Sequence, residues 1–195
     1  APRLVDGDDS LTVFVHGIHV APAAALEGIV YGAATPADEP VASLLALDPT
    51  IADGAVDATA PRQMVGVEFY GVTPDPAFNA SDAAFIDEIP YDTPAALERY
   101  ARIVARFSSI RLAQSGARTL HLLCHSMGCA IVRLLVERDF DGLARDGRLT
   151  RVVTISGALQ GAAMANMVDN PALQGALDGG LINIWDIAAL DPDHV

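Results

Sequence analysis

Short, continuously apolar runs recur along this chain, and segments with helical spacing stand between several of them. "LTVFVHGIHV" (Leu11 to Val20) reads as a buried strand ending in a His-Gly turn, and "QMVGVEFYG" (Gln63 to Gly71) as a second strand closed by Gly71. "TLHLLC" (Thr119 to Cys124), "RVVTIS" (Arg151 to Ser156) and "LINIWDI" (Leu181 to Ile187) give three more. A strand that alternates apolar and polar residues has one wet face, whereas one apolar throughout is covered on both. The pattern therefore predicts the α/β class, with a mostly parallel sheet between layers of helices, a three-layer α/β/α sandwich.

The helices have their own signals. Thr93 is a good N-cap, Pro94 suits the first helical position, and Gly116 supplies a stop. Leu97, Tyr100, Ala101, Val104, Phe107 and Ser108 fall on one face of that helix, with Glu98, Arg102, Arg106 and Arg111 elsewhere. "GCAIVRLLVERDF" (Gly128 to Phe140) reads as a second helix. The stretch from Ala21 to Arg62 is rich in Ala, Pro, Gly and Asp, with a helix expected around Pro40 to Leu47. "VTPDPAFNASDAAFIDEIPYD" (Val72 to Asp92), with its three prolines, reads as an irregular excursion. No repeat, low-complexity tract or linker divides residues 1–195, so one domain is expected.

Charge narrows the partners. The net charge is −13, and all 12 basic residues are arginine. An acidic surface repels phosphate backbones, so nucleic acid is not an expected partner. No apolar run reaches the roughly 18 to 20 residues of a membrane-spanning helix. The start "APRLVDGDDS" lacks a basic stretch followed by an apolar one, so no signal peptide is expected; it suits a processed terminus or an intracellular one. Cys124 and Cys129 form neither a disulfide framework nor a metal-ligand pattern. They are read as buried free thiols, which lean toward a reducing compartment.

The chemistry is concentrated where a strand meets a helix, at Cys124-His125-Ser126-Met127-Gly128. A serine hydroxyl is a poor nucleophile unless a base takes its proton and the group is held exposed. A sharp strand-to-helix turn lifts the hydroxyl above the sheet edge. It also aims the next amide, that of Met127, into the same space from a helix N-terminus, where it can stabilise an oxyanion. Such a turn crowds its neighbours and needs small residues two before and two after the serine.

On these residues, "HLLCHSMG" resembles the G-x-S-x-G nucleophile elbow of the α/β-hydrolase superfamily, in the G-H-S-M-G form of bacterial lipases and esterases. "VFVHGI" is similar to the strand and His-Gly turn that give those enzymes a second oxyanion-hole amide, here that of Ile18. His16 would then be the structural histidine of that turn. "VVTISGALQGA" resembles the strand that follows the nucleophile helix, and "INIWDIAALD" the strand and loop that carry the triad acid. The sequence departs from the pattern in two places. Cys124 replaces the first glycine, and Ala158-Leu159-Gln160-Gly161 replaces Pro-His-x-Gly.

The resemblance implies a serine hydrolase of carboxylic esters, acting through an acyl-enzyme on Ser126, on a small-molecule or lipid ester, with no metal and no organic cofactor. The acid would be Asp191, then Asp193, then Asp186. Among the histidines, His121 reads as a core residue, His19 as a pocket-lining one, and His125 adjoins the serine, which turns its ring away from the hydroxyl. Only His194 follows the acid, and it stands three residues after Asp191, without the strand the family places between them. The expectation is a fold that is reduced or C-terminally incomplete, these residues lacking the final strand, histidine and helix. The segments Ala21 to Arg62 and Val72 to Asp92 would bind substrate or form a lid, with Val30, Tyr31, Leu44, Leu45, Phe78, Phe85 and Ile86 suited to an acyl chain. Alternatives are a thioesterase or acyltransferase using the same serine, or a non-catalytic hydrolase-like module that binds a lipid or a partner.

Overall fold

The computed structural model of the chain describes residues 9–17, 62–70, 78–90, 93 and 95–160. The expected strand Leu181 to Ile187, the segment from Ala21 to residue 61, and residues 72–77 lie outside these, as do Val30, Tyr31, Leu44 and Leu45. The elements are β1 (Ser10–Val15), β2 (Arg62–Val67), α1 (Ala80–Asp87), α2 (Ala96–Ser115), β3 (Thr119–His125), α3 (Met127–Arg138) and β4 (Leu149–Ile155). A single 3₁₀ turn, Phe140–Gly142, follows α3. The class is α/β: four strands, all parallel, in the order β2-β1-β3-β4.

Register explains what the sheet presents. Val15 lies opposite Val67 on one side and Cys124 on the other, and Cys124 lies opposite Thr154. All four strands therefore end level at one edge. The chain leaves β1 toward β2 but leaves β3 in the opposite direction, toward β4. Connections that diverge in this way open a crevice beyond the carboxyl ends of β1 and β3, the place where open α/β sheets bind ligands.

Packing follows the apolar pattern. Leu11, Val13, Phe14 and Val15 of β1 are fully buried, as are Leu120, Leu122 and Cys124 of β3. α2 and α3 pack on each other and on β1 and β3. The expected face of α2 is buried at Tyr100, Ala101, Val104, Phe107 and Ser108, with Leu97 half-buried. Each large apolar side chain fully buried in this way is worth about 1.5–3 kcal/mol. Arg111, expected away from the core, is buried beside Phe107, its guanidinium 4.7 Å from the ring centre.

Two helix boundaries differ from the sequence reading. Thr93 does not cap α2: its hydroxyl donates to the Pro90 carbonyl, and the helix begins at Ala96 behind Ala95, without a side-chain cap. The stop at Gly116 has the left-handed backbone expected of it, φ 70°. The stretch read as irregular contains α1. Asn79 accepts hydrogen bonds from the amides of Ser81 and Asp82, and Asp82 accepts from the Asn79 amide, a capping box. The same helix corrects the acyl-chain reading of two residues. Ile86 is fully buried in the core, and Phe85 packs beside Phe140 under the Arg102 guanidinium.

Arginines close the far end of α1, where helix carbonyls lack intrahelical partners. Arg99, only 2% exposed, donates to the carbonyls of Ile86 and Ile89 and to the Asp87 carboxylate at 2.8–3.0 Å. Arg102 donates to the Phe85 carbonyl and to Glu88 and Glu98. Replacing Arg99 with alanine leaves the Ile86 carbonyl with the Ile89 amide alone, takes the guanidinium from the Ile89 carbonyl and opens a void between α1 and α2. We expect Arg99→Ala to cost about 2–4 kcal/mol, read from urea unfolding. A loss below ~1 kcal/mol would show that α1 docks without this arginine.

Candidate active site

The four level strand ends bring together the His16–Gly17 turn, Glu68 to Tyr70, Ser126 and the Ser156–Ala158 turn. Ser126 is the single residue between β3 and α3, with φ 52° and ψ −126°. That conformation belongs to the first central position of a type II′ turn, ordinarily a glycine's place. Holding a side-chain-bearing residue there costs about 1–3 kcal/mol and persists only where the surroundings enforce it. Here they do. The Ser126 amide donates to Ile155 O at 3.1 Å, and its carbonyl accepts from the amides of Cys129 and Ala158 at 3.0 and 3.1 Å.

Gly128 lets the turn sit where it does. A Cβ at that position would fall 2.4 Å from the carbonyl oxygens of both Val15 and His16. The start of α3 thus rests directly on the backbone end of β1. Met127 is the first helical residue, so its amide has no partner within the helix. On the other side, a Cβ on Gly17 would lie 3.0 Å from Ser126 Cβ and 3.5 Å from Ser126 Oγ. The turn leading to Ile18 therefore lies against the serine. Ile18, His19, Asp186, Asp191, Asp193 and His194 all lie outside the described residues.

His16 is completely buried and held on three sides. Its Nδ1 donates to the Gly17 carbonyl at 2.8 Å, and its ring stacks on Phe69 with centres 4.2 Å apart. Its Nε2 lies 3.6 Å from Glu68 Oε1, an ion-pair distance but too long for a hydrogen bond. Burial alone would raise the Glu68 carboxyl; the facing His16 ring and the amides of Tyr70 and Phe69 outweigh it and hold the group below its ordinary value. The Tyr70 hydroxyl stands 3.4 Å from the Gly17 carbonyl and 4.0 Å from Met127 Sδ, so it touches both halves of the site.

No hydrogen bond joins Ser126 Oγ to a described histidine. His121 is half-buried four residues before the end of β3. The His125 Nδ1 is buried without a hydrogen-bond partner, 3.3 Å from where a Gly17 Cβ would lie, on the flank of the same glycine that faces the serine. Burial pushes the His125 imidazole below its ordinary value. Among the described residues no group of three or more His, Cys, Asp or Glu is placed to hold a metal ion, and no helix is long and apolar enough to cross a membrane.

The cysteines correct the sequence reading. Cys124 and Cys129 are joined in a disulfide with Cα atoms 5.0 Å apart, rather than standing as free thiols. The reason is the turn itself: it doubles the chain back so that the end of β3 and the first turn of α3 come within disulfide range. The lean toward a reducing compartment loses its basis with them. No protein-family model, curated protein or solved structure matches this chain.

Two outcomes test this geometry. Gly128→Ala should push α3 off the end of β1, costing about 2–4 kcal/mol by urea unfolding; a variant as stable as the parent would refute the close contact. The buried His125 ring binds a proton less readily in the folded chain than in the unfolded one. Its contribution to stability is therefore intact above the unfolded value of about 6.5 and lost as the pH falls below it. His125→Gln should flatten the fall in urea midpoint between pH 7.5 and 5.5, and an unchanged slope would show that the ring is not desolvated.

Proposed function

We propose that the chain is a serine hydrolase of carboxylic esters, lipase- or esterase-like, built on an α/β-hydrolase fold. The observation that carries this reading is the backbone of Ser126, a nucleophile residue kept in a glycine's conformation between a parallel strand and a helix, beside the crevice where the strand connections diverge.

The three-layer architecture belongs to the same proposal. Right-handed crossovers running in one direction, β2 to β3 and β3 to β4, put α2 and α3 on the same face, in keeping with their contact. A connection from β1 to β2 runs the other way and would cover the opposite face.

In the proposed reaction Ser126 Oγ attacks the ester carbonyl and forms an acyl-enzyme. The developing oxyanion is held by the amides of Met127, at the start of α3, and of Ile18. Gly17 keeps the approach to Oγ narrow and free of a side chain. Asp191 orients a histidine that removes the serine proton, returns it to the leaving alcohol, and then activates the water that releases the acid.

A fluorophosphonate probe read by intact mass tests this. One adduct on the parent chain, absent from Ser126→Ala, is the expected result, with ester turnover lost in the same variant by a factor of about 10³ or more. A well-folded chain that takes no adduct would favour the non-catalytic binding module instead. Matched ester, thioester and amide substrates separate the hydrolase from its acyl-transfer alternatives.

A further inference from the structure

The disulfide brackets the nucleophile: Cys124 stands two residues before Ser126, and Cys129 three after it. We propose that the Cys124–Cys129 pair is a thiol–disulfide exchange site whose redox state sets the reactivity of Ser126. The proposal rests on the reading of Ser126 as the nucleophile.

Three observations carry it. The bond ties the turn-side end of β3 to the first turn of α3, which are the two ends of the segment that carries Ser126 in its glycine-like backbone. Removing the covalent tie leaves that conformation to backbone hydrogen bonds and the Gly128 contact alone. Both cysteines are fully buried, yet Cys129 lies under a thin cover. A Cβ on Gly157, an exposed residue, would fall 2.9 Å from Cys129 Cβ and 3.0 Å from its Sγ, so a bare glycine backbone packs directly against that sulfur. Finally, Cys129 is the third residue of α3, where unpaired helix amides favour a thiolate.

The chemistry balances with a dithiol as reductant. When the Ser156–Ala158 turn lifts, a thiolate of the dithiol attacks Cys129 Sγ; the Cys124–Cys129 bond breaks and Cys124 leaves as a thiolate, which takes a proton. The second thiol of the reductant then attacks its own sulfur in the mixed disulfide. Cys129 departs as a thiolate stabilised by the start of α3, and the reductant leaves as a cyclic disulfide, having given up two electrons. Reoxidation by any disulfide runs the same steps backward.

The experiment compares full-length protein purified without reductant with the same protein after dithiothreitol, each alkylated and weighed to count thiols. The oxidised form should take no alkyl group and the reduced form two. Fluorophosphonate labelling of Ser126 should be about tenfold slower in the reduced form. Cys129→Ser should label at the slow rate with or without dithiothreitol, and Gly157→Ala should speed reduction by propping the cover open. Two free thiols in the air-purified protein, or equal labelling of the two forms, would overturn the proposal. If neither form labels, the nucleophile reading fails on its own, and hydrogen exchange decides the clamp. Faster exchange at the amides of Met127 to Ile131 on reduction supports it, and unchanged exchange overturns it.

Discussion

At Gly128 the first turn of a helix lies on the carbonyl oxygens that end the neighbouring strand, at a distance that leaves no room for a single methyl group. This contact fixes α3 relative to β1 as well as to its own strand, β3. Because α3 is held there, Met127 comes to the strand ends with its amide unengaged by the helix, and Ser126 has to span the step between strand and helix in one residue. The conformation of the serine is thus a consequence of how closely two backbones approach, and small residues are required on both sides for that reason.

Much of this architecture was legible in the sequence because the signal was local and redundant. Continuous apolar runs marked β1, β2, β3 and β4 to within a few residues, and Gly116 marked the end of α2 through the one property, a positive φ, that glycine supplies freely. The strand–serine–helix joint was legible for the same reason: a buried strand, small residues and an apolar helix pattern all agreed. Where one signal stood alone it misled. Thr93 has the chemistry of a cap, but its hydroxyl is taken by the Pro90 carbonyl. α1 went unread because its apolar residues lack clear helical spacing and prolines lie on either side; the Asn79 and Asp82 pair was the available sign.

The cysteines and arginines show a different limit. Five positions apart along a strand, two cysteines cannot meet; five apart across a reversal, they do, so their pairing depends on the turn rather than on their spacing. Arg111 was placed by charge away from the core face of α2 and Arg99 was given no place, yet both are buried. Their stems pack with apolar neighbours while their guanidinium groups find carbonyls, carboxylates, an amide oxygen or a ring. Periodicity cannot tell a solvated arginine from one that seals the end of a neighbouring helix, because the partners are supplied by a different element.

The backbone of Ser126 also bears on how such a chain varies under selection. Glycine would hold φ 52° and ψ −126° at less cost, so a drift toward greater stability runs, at this one position, toward loss of the hydroxyl. The residue is easiest to improve thermodynamically by discarding its hydroxyl. Under the proposed function, keeping serine here carries a standing cost in folding that the chemistry of the hydroxyl has to offset.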